Sequence, residues 1–175
     1  MKKIIFLLLI CFICIQSSAQ TRLIPGELKG KQDTFIIQKL DEPWDTIKYI
    51  IVSSKSNKYS QGIPRPKVRH LLPVNQNMDI HVDKNAVKQI IDEVLSQKLA
   101  ALHKGKEKID VAFDFHPNGE LTDISYGLRE NTLITLQDIE EIDQRLRSAI
   151  RATFTGRAYL QYEAIYYPVL PSIVF

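Results

Sequence analysis

The chain has 175 residues, with 23 Lys and Arg against 20 Asp and Glu. Residues 1–20 carry Lys2 and Lys3 and no acid, so without them the balance is 21 to 20, which excludes the broad basic surface of a nucleic-acid binder. Hydrophobic content of 45% and charged content of 25% are ordinary for a globular protein, and about 155 residues suffice for one buried core.

The chain opens with a short basic stretch, Met1-Lys2-Lys3. An unbroken apolar run follows from Ile4 to Ile15, then Ser17-Ser18-Ala19-Gln20. This is the layout of a cleaved secretory signal peptide over 1–20, with the cut after Ala19 or Gln20. The apolar run is too short to remain as a spanning helix. Cys11 and Cys14 both lie inside it. Bulky Ile10 and Ile13 precede them, which argues against lipoprotein processing. The mature chain then has no thiolate nucleophile, disulfide or Cys-ligated metal. A periplasmic or secreted location in a Gram-negative envelope is expected, with no membrane span in the mature chain.

Residues 21–33 hold Pro25, Gly26, Gly30 and charges, and read as an extended lead-in. A single domain is expected over 34–175. Its first part, 34–80, has strands at 34–38 and 46–53 with turn chemistry at Asp41–Asp45 between them. A polar loop with Gly62, Pro64 and Pro66 follows. From Thr46 to Met78 there is no acid, while Lys48, Lys55, Lys58, Arg65, Lys67 and Arg69 fall there. Lys55, Lys58, Arg65 and Lys67 could meet anionic lipid or polysaccharide. The alternative is a solvated loop neutralised by acids elsewhere, which the modest charge density favours.

The second part, 83–175, begins with Asp83 as N-cap of a helix over 84–103. Val87, Ile90, Ile91, Val94, Leu95, Leu99 and Leu102 repeat at helical spacing, and Gly105 is the C-cap. From Lys108 to His116 the pattern alternates. Ile109, Val111, Phe113 and Phe115 take one face, and Asp110, Ala112, Asp114 and His116 the other. Pro117-Asn118-Gly119-Glu120 makes the turn into a partner strand, 120–126. Thr135 and Asp138 have capping-box spacing before a helix over 137–154. Gly156 ends that helix. A strand over 158–167 and a last short strand from Ser172 to Phe175 complete the chain.

The inventory for catalysis is thin. No two histidines share a helix face, and there is no nucleophile elbow or phosphate loop. The strongest constellation is Asp110, Asp114 and His116 on one strand face, from which Asp114 and His116 could serve a metal-dependent or acid/base hydrolase. Polar-out alternation also explains that face. No metal site and no cofactor are expected. Tyr159, Tyr162, Tyr166 and Tyr167 cluster on the late strand, with Tyr162 and Tyr166 on one face. Such residues either stack on sugar or peptide or pack in a core.

The strand IDVAFDF, the turn PNGE, the strand LTDISY, the helix DIEEIDQRLRSAIRATF and the terminal apolar strand resemble the C-terminal domain of TonB-type energy-transduction proteins, over Ile109 to Phe175. Three features depart from that family: no Tyr-Pro entry, Thr155-Gly156 where a Pro is usual, and no anchor with a Pro-rich spacer. The leader ending SSAQ resembles those of secreted Bacteroidota proteins. The resemblance implies a ββαβ unit and a domain that binds an envelope protein or extended peptide by strand addition.

The expected fold is α+β, an antiparallel sheet with two helices on one face. The expected function is non-enzymatic binding or scaffolding through a sheet edge, with Tyr159, Gln161, Tyr162 and Tyr166 flanking a guest strand. On this reading Gln161→Pro would spare an edge strand and cost a central one about 3 kcal/mol.

Overall fold

The structure, a computed structural model, describes residues 21–40, 47–59, 65–66 and 79–175. The leader with its two cysteines, the Asp41–Asp45 turn, Gly62, Pro64, Lys67 and Arg69 lie outside the described residues.

The fold is α+β. Among the described residues ten strands run in chain order: β1 (Gly26–Lys29), β2 (Thr34–Leu40), β3 (Tyr49–Ser54), β4 (Arg65–Pro66), β5 (Ile80–Val82), β6 (Lys108–Phe115), β7 (Leu121–Arg129), β8 (Ala152–Phe154), β9 (Tyr162–Pro168) and β10 (Ile173–Val174). The α-helices among the described residues are α1 (Lys84–Val94), α2 (Leu99–Lys104) and α3 (Leu136–Ala149). The main sheet has the order β1-β2-β3-β7-β6-β9-β4, all antiparallel. The outer side of β6 is shared, with β9 along Ala112–Phe115 and β10 at Lys108 and Ile109.

The alternation in β6 sorts as expected. Ile109, Val111, Phe113 and Phe115 are buried at 0–3% exposure on the helix side of the sheet. Ile50, Val52, Ile124, Tyr126, Leu128, Ile165 and Tyr167 join them from the flanking strands. Val87 and Ile91 from α1, Leu95 at its C-cap, and Ile139, Ile142 and Leu146 from α3 close this core. Each large side chain so buried contributes about 1.5–3 kcal/mol before entropy.

Both expected N-caps form. Asp83 accepts the Ala86 N–H at 3.0 Å. Thr135 and Asp138 make a reciprocal capping box, with the Thr135 N–H donating to Asp138 Oδ2 at 2.7 Å. Asp therefore serves at a position where Glu is the usual partner.

Several boundaries differ from the sequence reading, each for a tertiary reason. The helix expected over 84–103 is two helices, parted at Leu95–Lys98. The break places Lys98 at the start of α3, where its ammonium meets Asp138 at 2.5 Å and the Leu133 carbonyl at 3.3 Å. The helix expected to reach Phe154 stops at Ala149. Ala152 donates its N–H to the Gly119 carbonyl at 2.9 Å, and β8 pairs with β5, so the hairpin turn draws the chain out of the helix. The first half of the expected strand 158–167 is a 3-10 turn, Ala158–Gln161. There Tyr159 folds back to stack on Phe154, with ring centroids 4.7 Å apart. The lead-in 21–33 contains β1, which pairs fully with β2 although it buries almost nothing.

Gly119 has φ +85°, and a Cβ there would meet the Ala152 carbonyl oxygen at 2.1 Å. Gly156 has φ +70° with nothing within 4 Å of a Cβ. Gly156→Ala should therefore cost only the left-handed strain, about 1–2 kcal/mol. Gly119→Ala adds a backbone collision and should cost clearly more. Urea midpoints of the two variants rank them, and equal losses would refute the contact.

Candidate functional site

The side of the sheet away from the helices carries a trough of about 440 Å³. Its floor is Ala112 on β6 and Ser125 and Gly127 on β7, which lie side by side in register. Its walls are Tyr49 and Ile51 on β3, with Leu40, and Tyr166, Pro168 and Leu170 opposite. The wall strands are three inter-strand spacings apart, roughly 14 Å. Small residues on the two middle strands and large ones on the outer two make the face concave. Leu40 and Leu170 on the rim are among the exposed large hydrophobic residues.

One end of the trough is polar. Lys108 Nζ lies 3.3 Å from Asp110 Oδ2 and 5.2 Å from the centre of the Tyr49 ring. The Ser172 hydroxyl donates to Asp110 Oδ1. A Cβ on Gly127 would stand 3.1 Å from the Asp110 Cβ, so the bare glycine makes room for this carboxylate beside the floor. Toward the other end, Asp114 and Asp123 are cross-strand partners, both buried, and Asp123 accepts the Tyr59 N–H. Burial, and then the Asp114 charge, raise the Tyr166 hydroxyl above its ordinary value, so it remains protonated at neutral pH.

On the helix side the polar groups are bound to one another. Tyr126 is fully buried and donates to Asp143 Oδ1 at 3.2 Å, and Arg147 Nε holds Asp143 Oδ2 at 2.6 Å. Burial raises Asp143 from its usual range, and Arg147 opposes that shift. Arg147 also reaches the Thr122 carbonyl and Asn57 Oδ1, and Asn57 donates to the Ile124 carbonyl at 2.8 Å. Nearby, the Glu140 carboxylate accepts the N–H groups of Lys31, Gln32 and Asp33 at 2.9, 2.5 and 3.3 Å. A Cβ at Gly30 would approach Glu140 Oε1 to 2.6 Å, so a side chain there would push that carboxylate aside. The two hollows beside these groups, about 500 and 680 Å³, are lined mainly by polar side chains that already serve this network.

The residues singled out from the sequence do not form one site. Tyr159 and Gln161 are in the 3-10 turn, where Gln161 Nε2 donates to the Ala158 carbonyl at 3.3 Å, so Gln161→Pro does not test a ladder position. Tyr162 opens β9, buried, opposite Pro66. Tyr166 alone of the four lines the trough. β9 lies between β6 and β4, and is not outermost among the described strands. That place falls to β1 and β4. Lys55 pairs with Glu27 at 2.8 Å, Lys58 is exposed, and Arg65 lies in β4 opposite Ala164. Asp114 is 5% exposed, while His116 sits exposed in the hairpin turn. Among the described residues no group of three or more His, Cys, Asp and Glu is placed to hold a metal. No helix there is long and apolar enough to cross a membrane.

The trough itself was missed. Its one sequence signal is the run of small residues, Ala112, Ser125 and Gly127, on the polar faces of two strands.

The fold has a solved counterpart. It is similar to the crystal structure of a DUF5043 family protein from Bacteroides uniformis ATCC 8492, with a TM-score of 0.66, 15% identity and 86% of each chain covered. At that identity the likeness is one of fold. No family model matches the chain, and a search of curated proteins finds no match.

The Glu140 carboxylate sets a pH dependence. Burial alone would raise it, but the N–H donors of Gln32, Lys31 and Asp33 outweigh burial and hold it below its ordinary 4.5. Its stabilisation is then full above pH 4.5 and lost as pH falls through the lowered folded value. Glu140→Gln should lower the urea midpoint at pH 7 and converge on the parent in acid. An equal deficit at both pH values would refute this linkage.

Proposed function

We propose that the protein is a non-enzymatic binding or scaffolding protein of a Gram-negative envelope, carried to the periplasm or beyond by a cleaved leader. Its ligand lies on the open face of the sheet. The observation that carries this reading is the trough, a concave and mainly apolar hollow with a few convergent polar groups at one end. Its volume falls within the range of small-molecule sites, about 300–1,000 Å³.

The resemblance to TonB-type domains supports a binding role and would direct an extended partner to a sheet edge. The succession β6, β7, α3 and β9 contains that ββαβ unit, with the short β8 interposed between α3 and β9. The described edges are poor templates, however. β1 has four residues after Pro25, with Glu27 and Lys29 among them, and β4 has two. Short, charged edges of this kind resist strand addition. A face site is therefore preferred to an edge site. The hydrolase reading has less support, since Asp114 is enclosed and His116 stands apart in a turn. The anionic-surface reading loses Lys55 to its ion pair with Glu27.

Titration with the uncharged fluorophore N-phenyl-1-naphthylamine tests the face site. Saturable enhancement is expected from the parent protein. Ala112→Leu fills the floor and should weaken it by about tenfold, some 1.4 kcal/mol. As a half-exposed substitution it should leave stability within about 0.5 kcal/mol. Enhancement that survives Ala112→Leu would move the ligand elsewhere.

A further inference from the structure

We propose that the turn Gly30–Asp33, between β1 and β2, is a binding site for a peptide carboxylate, kept filled in the resting protein by its own Glu140. It lies against α3, on the face opposite the trough, and stands whether or not the trough takes a ligand.

The donors converge on one group. Glu140 Oε2 accepts the Lys31 N–H at 2.9 Å, and Oε1 accepts those of Gln32 at 2.5 Å and Asp33 at 3.3 Å. Both oxygens are used, so the turn fits a two-oxygen anion, where a halide would fill one position only. Successive main-chain N–H groups form anion-binding concavities, and such nests capture peptide carboxylates. Shape narrows the class further. A Cβ built on Gly30 would lie 2.6 Å from Oε1, 2.9 Å from Cδ and 3.0 Å from Oε2. The carboxylate therefore lies flat against the glycine. A tetrahedral oxyanion in the same place would turn a third oxygen into it.

The turn holds its shape by bonds of its own. The Gly30 N–H donates to the Asp33 carbonyl at 2.8 Å. The Asp33 carboxylate accepts the Thr34 N–H at 2.7 Å and the hydroxyls of Ser54 and Ser56. None of these bonds involves Glu140. Donors set before a ligand arrives lose little freedom when it binds. Burial works against a charge at Glu140, yet the three N–H groups outweigh it and hold this carboxyl below its ordinary range, as a cradle that favours an anion should.

The resident carboxylate is replaceable. Lys31 and Gln32 are exposed, and a hollow of about 500 Å³ opens beside Glu140, with Gln137, Gln144, Arg145 and Ser148 in its lining. A side-chain rotation takes Glu140 out of the turn without disturbing β2, whose Phe35 and Ile37 stay in the core. The amides and hydroxyl of the hollow can then pair with the main chain of an incoming peptide. An isolated carboxylate competes poorly with one tethered beside the turn, because tethering gives a high effective concentration. A peptide that also enters the hollow adds contacts that Glu140 lacks, so the resident group selects against small anions.

Glu140→Ala empties the turn and allows a direct test. Acetate titrated into the isotope-labelled variant should move the amide resonances of Lys31, Gln32 and Asp33 saturably and raise the urea midpoint. Chloride at equal ionic strength should do neither. Gly30→Ala added to this variant has room for its Cβ once Glu140 is gone, and should weaken acetate by about tenfold. Glu140→Ser empties the turn equally, and replaces the alanine variant if that one fails to fold. Acetyl-dialanine with a free terminus and acetyl-glutamate amide distinguish a chain-end from a side-chain carboxylate. At least one should bind Glu140→Ala more tightly than acetate, and should bind the parent about tenfold more weakly than the variant. Unmoved amide resonances overturn the site. Phosphate binding better than acetate overturns the carboxylate assignment, and acetate binding indifferent to Gly30→Ala places the anion elsewhere. Peptides no tighter than acetate refute the peptide ligand, and equal affinity for parent and variant refutes the guarding role of Glu140. The fluorophore titration reads the trough separately, so failure here leaves that reading untouched.

Discussion

The buried tie between Tyr126, Asp143 and Arg147 organises the molecule. An ionised carboxylate in a core is costly unless it is paired and hydrogen-bonded. Here Asp143 on α3 receives both the Arg147 guanidinium and the Tyr126 hydroxyl of the central strand β7. Arg147 spends its remaining donors on the Thr122 carbonyl and on Asn57. One charged pair thus fixes the helix against β7 and holds the chain that leaves β3. Replacing either partner alone would strand a charge or a hydroxyl in the core. Such a network specifies one docking of helix on sheet more than it adds stability.

Because α3 is committed to that face, the other face takes a different character. The N-terminal hairpin of β1 and β2 is clamped to α3 by Glu140, whose carboxylate caps three N–H groups of the turn between them. Paired through β2 to β3, this hairpin widens the sheet. The middle of that sheet is narrow in side-chain volume and its flanks are broad. A face with Ala, Ser and Gly between tyrosines cannot be flat, and the ion pair of Lys108 with Asp110 gives one end of the hollow a fixed polar character. The functional reading follows from these two facts together. Concavity offers apolar area to a ligand, and the polar end offers it hydrogen-bonding groups.

The elements legible in the sequence are those whose residues carry their own instructions. Asp83 and the pair Thr135 and Asp138 announce helix starts because a side-chain oxygen must satisfy free N–H groups within three residues. The Asn118-Gly119 turn is readable because few residues accept φ +85°. The alternation of β6 is readable because each residue's face follows from its position alone. The polar face of that same strand misled. Asp110, Asp114 and His116 share a period, but depth separates a rim carboxylate from an enclosed one and leaves the histidine in a turn.

By itself the sequence determined the α+β class, the caps, the hairpin and the inward face of the central strands, since all of these are set by contacts within a few residues. Only the tertiary structure decided where α3 ends, that Tyr159 folds back on Phe154, that β1 joins the sheet, and which strand lies outermost. β1 buries too little to leave a pattern, and exists because β2 offers it hydrogen bonds. The trough is of the same kind. Ala112, Ser125 and Gly127 are unremarked small residues along the chain, and they become a floor only when two strands bring them into register between walls supplied by two others. Concavity belongs to the packed sheet, because it is a difference in side-chain height between strands that the chain order keeps far apart.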